Sequence, residues 1–231
     1  ALGYEKEIHV YQPPEADPDT PRPTIYIHDG RDYIEFAHIP AVLDDLIRRG
    51  KIQPVNAVFV SPPNRHQSDM PNRTTEYGLN PKYVTFMADE LVPFVDGRFP
   101  TIQRPDARMT VGDSYAGLVA ASLVHARPDC FGLGYSQSGY VSCEDDTLIE
   151  RYKTKPKGDI RLYVDVGIFE RTVGKGWLPD DEIDFVEGNR RFRDVLQTNG
   201  YDFVYREYPE GHTWGNWRRH FVDGVIHFFG S

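Results

Sequence analysis

The sequence predicts an α/β fold in which helices cover both faces of a mostly parallel central sheet. Short apolar runs alternate with helical patterns over most of the 231 residues. Val55–Val60 is a continuous apolar run, as expected of a strand buried on both faces. Asp181–Asn199 is an amphipathic segment closed by Gly200, which is a good helix stop. Together these features favour alternating strands and helices over an all-helical or all-strand chain.

The N-terminal part supplies three strands and one helix. Glu7–Tyr11 alternates between apolar and polar residues and predicts a strand, and the proline-rich segment Pro13–Pro23 predicts a loop. Thr24–His28 predicts a second strand, which ends at an Asp-Gly turn. Glu35–Arg49 has helical spacing and stops at a glycine, and Val55–Val60 follows it as the third strand.

The middle of the chain continues the alternation. Ser61–Asn80 is polar, rich in proline and long for a loop, which suggests a functional segment. Pro81–Val95 predicts a helix, Met109–Gly112 a short strand and Tyr115–Ala126 a helix of small and apolar residues. Leu133–Ser136 is predicted as another short strand.

The C-terminal part repeats the strand and helix pattern twice. Arg161–Val166 and Tyr201–Tyr208 predict strands, while Asp181–Asn199 and Trp214–Phe229 predict helices. Neither an internal repeat nor a linker is evident, so residues 1–231 are interpreted as a single domain.

Composition excludes several classes of protein. The hydrophobic share is 39%, enough for a packed core, and the net charge is -9. The absence of a dense Lys/Arg cluster argues against a nucleic-acid partner. No stretch approaches the roughly 18 apolar residues of a membrane span, so no membrane partner is predicted. Composition gives no indication of oligomeric state.

The two cysteines bear on the compartment. Cys130 and Cys143 do not make a disulfide framework, which favours free thiols and a cytoplasmic location. A single bridge stays an alternative. The chain begins with Ala1 rather than Met, so secretion after removal of a signal peptide is the alternative location.

A candidate nucleophile lies where a strand runs directly into a helix. Gly112-Asp113-Ser114-Tyr115-Ala116-Gly117 places Ser114 at a sharp turn flanked by small residues, as a nucleophile elbow requires. The Tyr115 amide, at the helix start, would be one oxyanion-hole donor. The alternative is that Ser114 only caps the helix.

The candidate general base is His212. It lies between the last strand and the last helix, where α/β sheets place their sites, and a serine hydroxyl needs such a base. The other histidines that follow Ser114 in the chain lie on predicted helices and are interpreted as packing or surface residues: His125, His220 and His227.

The acid that orients the base should lie between the serine and the histidine in the chain. Glu170 follows the strand Arg161–Val166 by a few residues and is the favoured candidate. Asp165 is the alternative, although its place inside the strand suggests a structural role. The second oxyanion donor is assigned to the Arg31 amide, because Gly30 permits an unusual turn after an early strand. An ordinary Asp-Gly turn would explain the same residues.

In their order, these motifs resemble the esterase family that contains enterochelin esterases, feruloyl esterases, S-formylglutathione hydrolase and mycolyltransferases. The likeness runs from about Tyr4 to Phe229. It is carried by these motifs: Asp29-Gly30; Arg73-Thr74-Thr75-Glu76-Tyr77 with Asn80; Glu90-Leu91-Val92-Pro93; Gly112-Asp113-Ser114-Tyr115-Ala116-Gly117; and Gly211-His212-Thr213-Trp214 with Trp217-Arg218. The resemblance implies an α/β-hydrolase fold, ester hydrolysis and a triad of Ser114, Glu170 and His212. It also implies that the Arg31 amide is an oxyanion donor and that Arg73 lies near the substrate. Ala116 and His28 depart from the residues usual in the family.

The predicted substrate is a small ester. Arg65, His66 and Arg73 would suit an anionic or phenolic acyl group, such as a siderophore trilactone or a hydroxycinnamate ester. Aromatic side chains would offer stacking surfaces, or else pack the core: Tyr33, Phe36, Tyr140, Phe169, Trp177 and Trp214.

Neither a cofactor nor a metal is expected for this chemistry. Two other functions stay open: acyl transfer to an alcohol acceptor, as mycolyltransferases perform, and a catalytically silent binding protein on the same fold.

Overall fold

A seven-stranded sheet forms the centre of the computed structural model, which describes residues 1–63, 71–155, 157–173 and 183–230. The strand order is β1-β3-β2-β4-β5-β6-β7. The strands are β1 Ile8–Tyr11, β2 Thr24–His28, β3 Asn56–Val60, β4 Arg108–Asp113, β5 Leu133–Gln137, β6 Arg161–Gly167 and β7 Asp202–Tyr208. Among these seven strands of the described residues, β1 pairs with β3 in antiparallel fashion and the other neighbouring strands are parallel.

Helices connect the parallel strands. They are α1 Gly30–Glu35, α2 Ile39–Arg48, α3 Arg73–Tyr77, α4 Pro81–Thr85, α5 Val92–Asp96, α6 Tyr115–Ala126, α7 Cys143–Thr154, α8 Phe185–Thr198 and α9 Trp214–Phe229. A π-helical segment at Phe86–Leu91 joins α4 to α5. The predicted α/β architecture, with a mostly parallel sheet and helices on both faces, is confirmed.

The core has two layers, one on each face of the sheet. Alternate residues of one strand belong to different layers: Tyr26 packs with α6 residues, while Ile25 and Ile27 pack with the α2 and α9 side. The central strands are buried on both faces, which explains their continuous apolar runs.

The predicted helix Glu35–Arg49 is wrong at its start. The structure ends α1 at Glu35 and begins α2 at Ile39, with His38 between them at a φ of 52°. Pro40 explains the restart, because its missing N–H suits the first turn of a helix and not a helix interior.

The predicted helix Pro81–Val95 is continuous but changes its pitch. The N–H of Val92 bonds to the carbonyl of Met87, five residues earlier, just before Pro93. A proline clashes with the carbonyl four residues before it, and a widened turn relieves that clash.

Three helices of the described residues were not predicted from the sequence. Helix α1 lies where a turn at Asp29-Gly30 was expected, α3 lies inside the segment Ser61–Asn80 that was interpreted as a loop, and α7 follows β5. Helix α8 begins at Phe185 rather than Asp181, and the Asp184 carboxylate accepts a hydrogen bond from the amide of Glu187 at its start.

Both cysteines are free and buried, in agreement with the favoured interpretation. Across the described ranges, no helix combines the length and the apolar character that a membrane span needs.

Candidate active site

Five loops that follow parallel strands meet at one edge of the sheet. They follow β2, β4, β5, β6 and β7, and because these strands are parallel their carboxyl ends share that edge. Shortly after these strand ends come, in the same order, Arg31, Ser114, Ser138, Glu170 and His212. The edge therefore collects all three predicted members of the triad.

Ser114 has a backbone conformation that side chains rarely adopt. Its φ is 55° and its ψ is -120°, and its amide donates to the carbonyl of Gln137 at 3.0 Å. The turn is so tight that a Cβ on Gly112 would lie 2.5 Å from the Cβ of Ala116. The side chain of Ser114 makes no helix-capping hydrogen bond, and the residue is partly exposed at the start of α6.

Glu170 and His212 form a hydrogen-bonded pair. The distance from His212 Nδ1 to Glu170 Oε2 is 2.7 Å. The Glu170 side chain is almost completely buried, whereas His212 keeps 16% of its side chain exposed. The imidazole lies against Phe185, with ring centroids 4.4 Å apart. One ring nitrogen is thus held by a buried carboxylate, which leaves the other available to a ligand.

Asp165, the alternative acid, has a different partner. The Tyr135 hydroxyl lies 2.6 Å from Asp165 Oδ2 and 2.7 Å from the carbonyl of His220. Burial raises the pKa of Asp165 to about 7. The geometry therefore pairs His212 with Glu170 and places Asp165 in the interior beneath α9.

Two chains of contacts connect the Ser114 turn to His212. The amide of Tyr140 donates to the carbonyl of Ser114, and the Tyr140 ring packs on Phe185, which contacts His212. On the other side, the Gln137 carbonyl accepts from the Ser114 amide, and the Gln137 side chain donates to the carbonyl of Trp217 at 2.8 Å. The Trp217 ring in turn contacts His212. Within the described ranges, no hydrogen bond joins Ser114 directly to His212; such bonds often tighten only when substrate binds.

The two predicted oxyanion donors lie at the starts of helices. Arg31 is the second residue of α1, and Tyr115 is the first residue of α6. The first amides of a helix have no acceptor within the helix and attract negative charge. The Arg31 side chain points to Glu35 at the surface, 3.2 Å away, so only its backbone is a candidate for the site.

Arg73 contacts Asp29 and not an open surface. Its Nε donates to Asp29 Oδ1 at 2.8 Å, and a second nitrogen donates to Asp29 Oδ2. Its guanidinium also lies 5.7 Å from the ring centroid of Tyr115. Arg73 thus lies close to the Ser114 turn while holding the loop that carries Arg31.

Trp214 and Phe36 form an aromatic surface beside His212. Their ring centroids are 5.8 Å apart, and Phe36 is 55% exposed. Phe169 is also exposed. Tyr33 is completely buried and donates to Gln137, so it packs the core and offers no stacking surface.

Three other predicted substrate contacts fall on positions that the structure does not describe. Arg65, His66 and Trp177 lie outside the described residues.

One residue at the site, Ser138, was not singled out in the sequence, and Trp217 was named there only as part of a family motif. The Ser138 hydroxyl lies 2.8 Å from Glu170 Oε1, and Trp217 Nε1 lies 3.1 Å from the same hydroxyl. Ser138 follows β5 directly, so the rule that sites lie at strand ends would have indicated it.

A cavity of about 500 Å³ lies beside Tyr140. It is lined by Tyr140, Ser142, Asp145, Asp146, Ile183, Asp184, Glu187 and Arg191. Four carboxylates and one guanidinium make this side of the site acidic. In the part of the chain that the structure describes, no three His, Cys, Asp or Glu side chains converge as metal ligands do.

The comparisons with known proteins agree that the chain is similar to esterases. The model of the family named Esterase matches residues 1–228. The uncharacterized protein YjcH of Bacillus subtilis (strain 168) is 27% identical over 221 residues, which cover 94% of this chain and 88% of that protein. The iron(III) enterobactin esterase of Dickeya dadantii (strain 3937) is 24% identical over 96% of this chain and 51% of its own length. The chain therefore spans about half of that relative.

Solved structures share the fold. A ferulic acid esterase superposes with a TM-score of 0.82 at 18% identity, covering 99% of this chain and 93% of its own. The enterobactin esterase from Shigella flexneri superposes with a TM-score of 0.80 at 22% identity, covering 96% of this chain and 55% of its own. At these identities the likeness establishes the architecture.

Proposed function

Because the chain belongs to the Esterase family, we propose that it is a serine esterase that forms an acyl-enzyme on Ser114. The observation that carries the proposal is the pair of Glu170 and His212, 2.7 Å apart, at the same sheet edge as a serine in a strained turn. A serine hydroxyl is a weak nucleophile unless a base takes its proton, and the base needs a partner that fixes its tautomer.

The proposed reaction has two acyl-transfer steps. Ser114 Oγ attacks the ester carbonyl while Nε2 of His212 takes the hydroxyl proton, and His212 then gives that proton to the leaving alkoxide. Water, activated by the same imidazole, attacks the acyl-enzyme and releases the acid. Glu170 keeps the proton of the neutral imidazole on Nδ1 and stabilises the imidazolium that forms in each step.

The amides of Tyr115 and Arg31 are the proposed oxyanion hole. Both stand at helix starts, where N–H groups lack internal acceptors and the helix dipole favours negative charge. The bond between Arg73 and Asp29 supports this role, because it holds the turn from which the Arg31 amide projects.

The proposed substrate is an ester with an aromatic acyl group. Trp214 and Phe36 would supply the stacking surface. Arg73 lies near Tyr115, but its guanidinium is paired with Asp29, so its proposed role is to hold the loop after β2. Arg65 is a further proposed contact. The acidic cavity beside Tyr140 disfavours an anionic group there, so the acyl group is placed on the Trp214 side. Relatives named for enterobactin and ferulic acid are consistent with this class.

The first test is hydrolysis of p-nitrophenyl acetate. We expect the wild type to turn over this ester and Ser114→Ala to lose activity by about 10⁴-fold or more, because the nucleophile is gone. Ser122→Ala removes a buried hydroxyl from the same helix and should keep wild-type activity. Wild-type protein without turnover would favour the silent binding protein.

A substrate panel tests the acyl class. Ferulate esters, siderophore trilactones and short acyl esters should differ in kcat/KM, and we expect the aromatic esters to be preferred. Addition of an alcohol acceptor distinguishes hydrolysis from acyl transfer: an ester product in place of the free acid would favour an acyltransferase.

A further inference from the structure

Ser138 lies at the centre of a buried hydrogen-bond chain that ends at His212. It is 2% exposed and has a φ of 44°, and its amide donates to the carbonyl of Asp165 at 2.8 Å. This backbone bond fixes the loop after β5 to the strand that precedes Glu170. The hydroxyl is thereby held between two other side chains.

The donor and acceptor chemistry of the side chains fixes which atom donates in each hydrogen bond around Ser138. An indole N–H only donates, so the Trp217 Nε1 contact at 3.1 Å makes the Ser138 oxygen an acceptor. The single proton of Ser138 is then available for Glu170 Oε1, 2.8 Å away. The amide of Gly167 donates to the same carboxylate oxygen at 2.9 Å.

The two oxygens of Glu170 consequently have different roles. Oε1 receives the Ser138 hydroxyl and the Gly167 amide, while Oε2 is left for His212 Nδ1 at 2.7 Å. Because Oε1 already accepts two hydrogen bonds, a carboxylate at Glu170 offers Oε2 as the acceptor for the Nδ1 contact. An ionised partner requires the proton on Nδ1, and a neutral imidazole then has its lone pair on Nε2.

We propose that Ser138 and Trp217 are positioning residues for the esterase reaction: the Trp217 N–H orients the Ser138 hydroxyl, which locks Glu170 and thereby sets the tautomer of His212. The inference rests on the proposed function and adds two residues that act through Glu170 and His212. Trp217 has a second contact, since its ring meets the His212 ring edge-on at 4.8 Å. The test must therefore separate the indole N–H from the ring.

The variants are Ser138→Ala, Trp217→Phe and the double variant. Trp217→Phe keeps a ring and removes the N–H, and Ser138→Ala removes one oxygen. For each single variant we expect kcat for p-nitrophenyl acetate to fall about tenfold to 100-fold with KM within about twofold, a part of what general base catalysis contributes. Because the two groups act in series, the double variant should be about as slow as the slower single variant.

Proton NMR supplies a readout that packing would not move. The low-field signal of the His212 Nδ1 proton should be present in the wild type and lost or broadened in both single variants. Ser136→Ala is the matched control: it removes a buried hydroxyl two residues earlier, which has no hydrogen-bond partner in the described part of the chain.

Unchanged kcat and an unchanged Nδ1 signal in folded single variants would overturn the inference, as would single effects that multiply in the double variant. If Ser138→Ala does not fold, Ser138→Gly tests the same oxygen, since glycine readily adopts a φ of 44°. A wild type that hydrolyses no ester would instead refute the proposed function. A Ser114→Ala variant that keeps the wild-type activity would also refute it.

Discussion

At the scale of single residues, the Ser114 turn depends on the absence of a side chain at Gly112. A Cβ there would lie 2.5 Å from the Ala116 Cβ and 2.6 Å from the Ala116 carbonyl carbon and oxygen. Gly112 belongs to the strand and Ala116 to the helix that the turn joins, so neither residue can move away without displacing Ser114. Ala116, which departs from the family's usual glycine, is compatible with the turn because Gly112 opposite it is bare.

Gly112→Ala should therefore destabilise the protein by about 1–3 kcal/mol through overpacking and also reduce esterase activity. Urea unfolding measures the free energy, and p-nitrophenyl acetate the activity. Gly215→Ala is the control, since a Cβ at Gly215 meets only Thr213 Oγ1 at 4.0 Å. Equal stabilities for the two variants would show that the turn tolerates a larger residue at Gly112.

The site residues differ in how far the sequence could indicate them. Ser114 and His212 are indicated by local patterns: small residues around a strand-to-helix turn, and a histidine between the last strand and helix. The role of Ser138 depends on the side chains of Glu170 and Trp217, which are 32 and 79 positions away. Such contacts exist only in the folded chain, so no local pattern reports them.

At the scale of elements, helix α3 holds the loop after β2. Its first residue, Arg73, binds Asp29 through two nitrogens, and the Tyr77 hydroxyl accepts from the amide of Asp29 at 3.0 Å. Asp29 is completely buried and has a φ of 54°. This five-residue helix was missed because so short a segment shows no helical period, and its position is set by the ion pair.

Arg73→Ala should lower the free energy of unfolding by about 3–5 kcal/mol, because it removes the guanidinium from a buried carboxylate. Chemical unfolding measures the loss. Arg104→Ala is the control: its ion pair with Asp106 is exposed on both sides and should contribute less than about 1 kcal/mol. If Arg73→Ala changed stability no more than Arg104→Ala, the ion pair between Arg73 and Asp29 would not be what holds the loop after β2.

At the scale of the whole molecule, two buried groups make the free energy of unfolding depend on pH in opposite directions. Burial lowers the pKa of His28 to about 3 and raises that of Asp165 to about 7. Unfolded His28 binds a proton below about pH 6.5 and folded His28 does not, so its contribution to stability is lost as pH falls from about 6.5 towards 3. Folded Asp165 keeps its proton up to about pH 7 while the unfolded chain loses it near 4, so its contribution is lost as pH rises through that range.

Asp165→Asn isolates the contribution of Asp165 to the pH dependence of stability, because an amide does not titrate. The stability of the wild type relative to this variant should fall by up to a few kcal/mol between pH 4 and pH 8. Urea unfolding of both proteins across that range gives the difference. A difference that stays constant with pH would mean that Asp165 is ionised in the folded protein.

The whole architecture was accessible from the sequence because its strands are apolar runs and its main helices are amphipathic or uniformly buried. Helix α6 matches its predicted bounds, Tyr115–Ala126, and α9 matches Trp214–Phe229. The strand order was not predicted, since pairing depends on contacts between distant segments. The predicted parallel sheet implies that strand ends share an edge, but which strands lie side by side at that edge followed only from the observed order.

The central claim is that Ser114 is the nucleophile, and covalent labelling tests it most directly. A serine-directed organophosphonate should modify the wild type at one site, and peptide mass spectrometry should place the adduct on Ser114. Labelling should slow strongly in His212→Gln, because the proposed general base is absent. An adduct on another residue, or no adduct on protein that hydrolyses esters, would contradict it.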